Sequence, residues 1–326
     1  MSETGFHLAS SIFLEAGFRF AAHYQIISHD ESQKLKPELR RKKIEGVSRR
    51  SRHRALVEME ISAIALLDQE RENLFYAMEW SHQNANWELV CQIADNLATY
   101  FNVRSYWSEW VHFAELAAAD ADEAHDARLK TIALNNLSVV YRQLDRFADS
   151  IHCCEESVLL CRQLGDGYGE GLALGNLAGT YVVQKDLQAS LESYTAALRI
   201  FEKSGELYEQ AQCMLGIGTV LARQQKLDEA SAYLKSSIKM QRKIGDRFGE
   251  AQTLNNLGIV QKMQNEFDAA MKSFQSSLQL KQEIGDQQGI ANSLTNLALV
   301  YERSGELTLA IASWVEALTL LKDISP

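Results

Sequence analysis

The sequence of residues 254–274 is LNNLGIVQKMQNEFDAAMKSF. Apolar and small residues recur there at intervals of three and four, on both sides of a polar break at residues 264–266. This spacing is typical of amphipathic α-helix. The stretch therefore predicts two helices joined by a short turn. Gly258 allows another helix to approach the first one closely, and Phe274 is the large side chain beside Ala270 on the second.

The same helix pair recurs at an offset of 40, five times without a gap. One recurring position in the first helix is occupied by Asn136, Asn176, Gly216, Asn256 and Asn296. In the second helix a small residue precedes a larger one by four in the pairs Ser150 and Cys154, Ser190 and Tyr194, Ala230 and Leu234, Ala270 and Phe274, and Ala310 and Trp314. A fixed period of this size predicts a solenoid, in which stacked units bury one continuous core.

Glycine and an acidic residue mark the ends of the second helices. Gly285 suits the left-handed conformation common just past a helix end, and Asp286 can accept hydrogen bonds from the free amides of the next helix. The same pair of a glycine and an acidic residue recurs at Gly165-Asp166, Gly245-Asp246 and, as a variant, Gly205-Glu206. The chain has only two prolines, Pro37 and Pro326. An all-α chain is therefore predicted.

A weakened copy of the repeat precedes the five regular ones. At the offset of 40, Leu97 and Phe101 align with Leu137 and Tyr141, so residues 87–126 are predicted to form a degenerate repeat. Terminal members of solenoids are commonly atypical because one side has no sibling repeat. The predicted organisation is a helical amino-terminal cap over residues 1–86, the degenerate repeat over 87–126, and the five regular repeats over 127–326.

Charge is unevenly distributed along the chain. The net charge is -10, which disfavours nonspecific binding to nucleic acid or to an anionic membrane. Residues 34–54 instead contain ten Lys or Arg and two acids, a local charge of +8. This run has no aromatic residue for base stacking and no DNA-binding motif, so we interpret it as a solvated basic linker within the cap. Nucleic acid is not an expected partner.

Patterns for catalysis, cofactors and membranes are absent from the sequence. There is no HExxH spacing, nucleophile elbow or phosphate-binding G-x-x-x-x-G-K-[ST] loop, so we expect no enzymatic activity, cofactor or metal. The five cysteines form no CxxC pair, which favours a reducing compartment and core positions for the thiols. We find neither a secretory signal nor a membrane span, and we expect a cytoplasmic protein.

The ordered small and large positions resemble the tetratricopeptide repeat family over residues 87–326. The resemblance implies an α-solenoid, a right-handed superhelix of antiparallel helix pairs. The period is 40 instead of the family's 34, and the family's usual proline late in the second helix is absent, which implies longer helices. HEAT repeats have similar periods but do not account for both the Gly or Ala position and the step from alanine to an aromatic residue.

Two groups within the family are similar in finer detail. The Asn-Leu-Gly and Gly-Asp segments resemble those of kinesin light chains and LGN-type adaptors, whose arrays bind extended peptides. Residues 19–24, 70–74 and 77–80 resemble the start of the tetratricopeptide sensor in bacterial STAND regulators. That second resemblance implies a STAND-type nucleotide-binding domain as a possible partner, in cis or in trans.

The family resemblance also implies a binding site. It places the asparagine of each Asn-Leu pair on a concave surface lined by the first helices, where an amide can pair with the backbone of an extended peptide. The expected contact residues are Asn136, Asn176, Asn256 and Asn296, with Asn135, Asn255, Arg142, Gln252, Lys262 and Arg303 nearby. In the alternative interpretation the asparagines tie adjacent helices together. Because Arg142, Arg223, Lys262 and Arg303 are basic, an acidic peptide is the expected ligand.

The function implied is that of a noncatalytic scaffold or sensor that binds a protein or peptide segment, in bacterial signalling or regulation. The alternative is a peptide-controlled regulator of the Rap phosphatase type, in which a helical bundle ahead of the repeats acts on a response regulator.

Overall fold

The computed structural model describes residues 49–324, and α-helix is the only regular secondary structure within that range. The helices are α1 (Arg49–Gln83), α2 (Trp87–Arg104), α3 (Trp107–Glu123), α4 (Ala127–Gln143), α5 (Phe147–Leu164), α6 (Gly167–Gln184), α7 (Leu187–Ser204), α8 (Leu207–Arg223), α9 (Leu227–Ile244), α10 (Arg247–Met263), α11 (Phe267–Ile284), α12 (Gln287–Arg303) and α13 (Leu307–Ile324). The predicted all-α fold of antiparallel helix pairs is confirmed.

Part of the predicted cap lies outside the described residues. Residues 1–48 are not described, and they include residues 19–24 and residues 34–48 of the predicted basic linker. Residues 49–54 of that linker form the first turns of α1.

The helix pairs follow the period seen in the sequence. First helices begin at residues 87, 127, 167, 207, 247 and 287, and second helices begin at residues 107, 147, 187, 227, 267 and 307. Both series therefore advance with the period of the sequence repeat. No helix in the described part of the chain is both long enough and apolar enough to cross a bilayer.

The turns and caps show why each helix ends where it does. The predicted polar turn at residues 264–266 is confirmed, and Asn265 adopts a left-handed φ of 62° there. Gly285 closes α11 with a φ of 74°. The Asp286 side chain then accepts a hydrogen bond from the Gly289 amide at 2.8 Å. Asp166 and Asp246 repeat this cap, whereas the Glu206 side chain makes no capping hydrogen bond, so the variant position lacks the predicted cap.

The described chain divides into two compact units, with the boundary between Thr180 and Tyr181. In unit 1, the ring centroids of Phe101 and Phe113 lie 6.4 Å apart, and those of Phe75 and Phe113 lie 4.8 Å apart. Phe75 belongs to α1, so an aromatic core joins α1 to the helix pair α2 and α3.

In unit 2, large side chains of the second helices pack onto glycines of the first helices. Phe274 is fully buried, and a Cβ atom on Gly258 would lie 2.7 Å from its ring. Leu234 approaches Gly218 in the same way, because a Cβ atom there would lie 2.7 Å from the Leu234 Cγ atom. The close approach predicted at Gly258 is therefore confirmed, and the Phe274 ring is the group that needs the space.

Lys281 is buried more deeply than its sequence pattern indicates. The sequence predicts that its aliphatic stem follows the apolar side of α11, but the ammonium group is buried as well. The Nζ atom donates hydrogen bonds to the Gly289 carbonyl at 3.2 Å and to the Ser293 hydroxyl at 3.0 Å. Burial lowers the pKa of Lys281, and nearby Asp286 opposes that change.

All five cysteines are free thiols in buried positions, as predicted for core residues. Burial raises the pKa of Cys91, Cys153 and Cys213 to about 12, so these thiols stay protonated at neutral pH.

Candidate functional site

The first helices of unit 2 are α8, α10 and α12, and together they form one side of the stack. Helix α10 contacts both α8 and α12. A hollow of about 450 Å³ lies between α8 and α10, and another of about 300 Å³ lies between α10 and α12. Met263 lines both. The two hollows together are called the unit 2 groove.

The unit 2 groove combines an apolar floor with polar and basic edges. The first hollow is lined chiefly by apolar groups, with a few polar side chains at its edge. The lining residues that matter here are Ala222, Leu234, Ile259, Val260, Thr219, Arg223 and Asn256. The second hollow adds Lys262, Phe267, Leu299, Glu302 and Arg303.

The asparagines of unit 2 connect neighbouring first helices. The Asn256 Nδ2 atom donates a hydrogen bond to the Thr219 hydroxyl at 3.1 Å, and the Asn296 Nδ2 atom donates one to Asn255 Oδ1 at 3.1 Å. This is the arrangement of the alternative interpretation, in which amides tie helices together. Asn256 and Asn296 are nevertheless only half-buried, and their Oδ1 atoms accept no hydrogen bond from another described residue. The amides thus offer an acceptor at the surface.

An aromatic ring explains the missing asparagine at Gly216. A Cβ atom on Gly216 would lie 2.5 Å from the Tyr194 Cζ atom, because the tyrosine ring lies against the bare helix backbone there. An asparagine at this position would need that ring to move. The gap in the row of amides is therefore a packing feature, and it carries no information about whether the other asparagines bind a ligand.

Lys262 is a half-buried cation without a carboxylate partner. Burial lowers the pKa of Lys262 from its usual 10.5, and no other cause contributes to that shift. None of the described residues forms an ion pair or a hydrogen bond with its ammonium group. A desolvated charge without compensation is unfavourable, so an anion placed in the groove would be stabilised there.

Arg223 and Arg303 also lie in the unit 2 groove without a carboxylate partner among the described residues. Arg223 donates a hydrogen bond to the Val182 carbonyl at 3.1 Å, and the Arg303 guanidinium carbon lies 6.0 Å from the Phe267 ring centroid. Glu302 contributes one negative charge. Three cations minus one acid leave a formal charge of +2 in a protein whose net charge is -10.

The expected site residues of unit 1 have other contacts. Asn136 Nδ2 donates a hydrogen bond to Asp95 Oδ1 at 3.3 Å, and Asn135 Oδ1 accepts one from the Ser157 hydroxyl at 3.4 Å. Arg142 Nη1 donates a hydrogen bond to the backbone carbonyl of Asn176 at 3.3 Å. The unit 2 groove contains none of these residues, so their contact with a ligand stays a prediction.

Of the expected site residues in unit 2, the structure brings Asn256, Lys262 and Arg303 to the groove. Asn255 serves as the acceptor for Asn296, and Gln252 lies exposed on α10, outside the groove lining. The sequence reasoning missed Ile259 and Leu299, which supply apolar surface. The sequence contains a signal for them, because each lies three residues after a recurring asparagine. An apolar residue stands out at that outward-facing position of the helix.

Helix pairs repeated at a fixed interval define the chain as an α-solenoid protein. Residues 130–203 and 209–283 match the family model of the tetratricopeptide repeat. These two matched segments therefore consist of tetratricopeptide repeats. Proteins of this family generally act as noncatalytic scaffolds that bind protein partners.

Three solved structures share this fold. The apo form of RapI has a TM-score of 0.59 at 13% identity, covering 82% of this chain and 92% of that one. A STAND protein with a tetratricopeptide repeat sensor, from Pyrococcus horikoshii, has a TM-score of 0.58 at 12% identity, covering 81% of this chain and 49% of that one. Repeats of a putative kinesin light chain from Podosopora anserina have a TM-score of 0.50 at 13% identity, covering 61% and 97%. These identities show the fold alone.

A curated relative matches a shorter segment. The 43 kDa receptor-associated protein of the synapse from Gallus gallus is 28% identical over 95 residues. The match covers 28% of this chain and 23% of that protein, so the chain spans less than a quarter of the relative's length.

Proposed function

We propose that the unit 2 groove binds an extended acidic segment of a partner protein and performs no chemistry on it. The observation that carries this proposal is the half-buried ammonium group of Lys262, which lacks a carboxylate partner among the residues described. A carboxylate of the ligand would form a charge-assisted hydrogen bond with it, and such bonds contribute more than neutral ones. Arg223 and Arg303, on either side along the groove, would contact further acids.

The apolar floor of the groove adds a second requirement. Ile259 and Met263 are side chains that one apolar residue of the ligand could cover in the first hollow, whose volume is about 450 Å³. The amide oxygens of Asn256 and Asn296 would accept hydrogen bonds from backbone amides of the ligand, independently of its sequence. The expected ligand therefore has one apolar residue flanked by acids.

Removing the charge of Lys262 is expected to weaken ligand binding. Peptides would first be selected on the full chain from a displayed random library. Affinities would then be measured by calorimetry for the wild type and for Lys262→Met, which keeps the apolar stem. A lost charge-assisted hydrogen bond of about 1.5–3 kcal/mol corresponds to a roughly 10- to 150-fold weaker affinity.

Lys235→Met provides the matched control, because Lys235 is an exposed lysine on α9 outside this groove. Its exposed ammonium group also lacks a carboxylate partner among the described residues. The two variants therefore differ in where the lost charge lies and in how deeply it is buried. We expect Lys235→Met to bind the selected peptides as the wild type does. Equal affinities for Lys262→Met and the wild type, or selected peptides without acidic residues, would contradict the proposal.

Replacing Asn256 and Asn296 together by alanine separates the two roles of the amides. Each loses one hydrogen bond between first helices, and each such bond contributes about 1 kcal/mol. We therefore expect the free energy of unfolding to fall by about 2 kcal/mol and the peptide affinity to fall as well. Asn292→Ala is the control, since Asn292 is exposed and accepts a bond only from Gln288 of its own helix.

The measurements are urea unfolding and peptide calorimetry on the same preparations. Reduced stability with unchanged peptide affinity would show that the asparagines serve the stack alone. In that case the ligand role of the amides would be wrong, while the role of Lys262 would still be judged by its own variant.

The alternative function, a regulator of the Rap phosphatase type, is suggested by the order of parts. A long helix, α1, precedes the repeats, and the fold resembles that of RapI over 92% of that chain. Release of phosphate from a phosphorylated receiver domain, added to the purified chain, is the measurement that separates the two functions. A STAND-type nucleotide-binding domain, in cis or in trans, is a further proposed partner, suggested by the STAND neighbour.

A further inference from the structure

The outer side of α13 carries a row of exposed apolar side chains. Leu307, Ile311, Val315 and Leu318 are 58–60% exposed, and their spacing of four, four and three residues places them on one side of the helix. We call these four residues the α13 row. Contiguous apolar patches of a few hundred Å² on a protein surface commonly mark an interaction site.

Three members of the α13 row occupy positions that α11 uses for packing. At the offset of 40, Leu307, Ile311 and Leu318 correspond to Phe267, Met271 and Leu278. Those residues are partly buried, and all three pack against clusters that include residues of α12. The α13 row thus retains the pattern of a surface that another helix covers.

Val315 distinguishes the α13 row from a simple copy of the interior pattern. The corresponding residues are Gln275 in α11 and Lys235 in α9, and both are exposed. A helix that only repeated the interior pattern would be polar here. The apolar surface of α13 is therefore wider than the contact that one repeat makes with the next, which indicates a different kind of contact.

The α13 row is symmetric about its own centre, close to residue 313. If two copies of α13 lie antiparallel about a two-fold axis at that point, Leu307 of one copy faces Leu318 of the other and Ile311 faces Val315. Glu316 is the only charged residue between Leu307 and Leu321. At about 100° per residue it lies on the opposite side of the helix from most of the row, so no like charges meet.

We propose that this chain self-associates through the α13 row, with the α13 helices of two copies packed antiparallel. Such a contact is isologous, because the same surface is used on both copies. The four side chains expose roughly 400 Å² per copy, so pairing would bury about 800 Å² before the surrounding residues are added. Interfaces below about 1,200 Å² are generally weak. We therefore expect a dimer dissociation constant in the micromolar range.

Analytical ultracentrifugation of the full chain over a range of concentrations tests this proposal. The wild type should show a monomer–dimer equilibrium. Ile311→Lys and Val315→Glu should each raise the dimer dissociation constant at least tenfold. Because Ile311 of one copy faces Val315 of the other, a mixture of these two variants should dimerise more tightly than either variant alone.

Leu309→Glu is the matched control, since Leu309 is 46% exposed on the other side of α13. It should dimerise as the wild type does, and circular dichroism would establish that every variant is folded. A chain that stays monomeric at hundreds of micromolar would overturn the proposal, including the case in which residues 1–48 cover the row. So would a mixture that shows no recovery, or a Leu309→Glu variant that loses the dimer equally.

Discussion

Replacing Phe274 by alanine is expected to lower the free energy of unfolding by about 3–5 kcal/mol, the usual cost of removing a buried phenylalanine side chain. The Phe274 ring is fully buried. Gly258 lies directly against it and offers no side chain to fill the cavity. Phe274 also belongs to a cluster with Leu297 and Val300 of α12, so the loss reaches the next repeat.

The same substitution at Phe248 is the control. Phe248 lies on α10 and is 53% exposed, so Phe248→Ala is expected to change the stability by no more than about 0.5 kcal/mol. Urea unfolding followed by circular dichroism measures both variants. Equal destabilisation by the two substitutions would show that Phe274 is not the packing residue that we describe.

Replacing Gly258 by alanine is expected to destabilise the protein by about 1–3 kcal/mol, the usual effect of overpacking. In an open helical position the same change would stabilise by about 0.5–1 kcal/mol, since glycine loses more backbone entropy on folding. The sign is reversed here because the new Cβ atom would lie 2.7 Å from the Phe274 ring, closer than atoms in contact can approach.

Gly175→Ala, in unit 1, is the comparison in which alanine is expected to stabilise the protein. Apart from the nearby backbone of its own helix, a Cβ atom on Gly175, inside α6, would have no atom within 4 Å, so alanine should raise the free energy of unfolding by about 0.5–1 kcal/mol. If thermal unfolding shows both alanine variants to be stabilised, the close approach at Gly258 does not limit the packing of the pair.

The features that the sequence predicts correctly are local or periodic. The turn at residues 264–266, the glycine ends and the aspartate caps each depend on a few neighbouring residues, and the structure shows them at the expected positions. The approach of a second helix to Gly258 was also predictable, because the period of 40 aligns Gly258 and Phe274 with Gly218 and Leu234, which pack in the same way.

Contacts between helices distant in sequence were not predictable in the same way. The hydrogen bond from Asn256 to Thr219 spans 37 residues, and only the packing of α8 against α10 brings the two side chains together. The Tyr194 ring lies over Gly216 because of the direction that its side chain takes. The spacing of residues in the sequence does not predict that direction. The unit 2 groove itself depends on which side chains leave space, so Ile259 and Leu299 were missed although the helices that carry them were identified.

Photo-crosslinking shows where a selected acidic peptide binds, and so whether the unit 2 groove holds it. A selected peptide with benzoylphenylalanine at its apolar position would be irradiated with the full chain, and the attachment sites would be located by mass spectrometry. We expect attachment at Ile259, Met263 and their neighbours on α8 and α10, with much less in Lys262→Met. Attachment on α9 or α13, unaffected by that substitution, would show that the peptide binds outside the unit 2 groove.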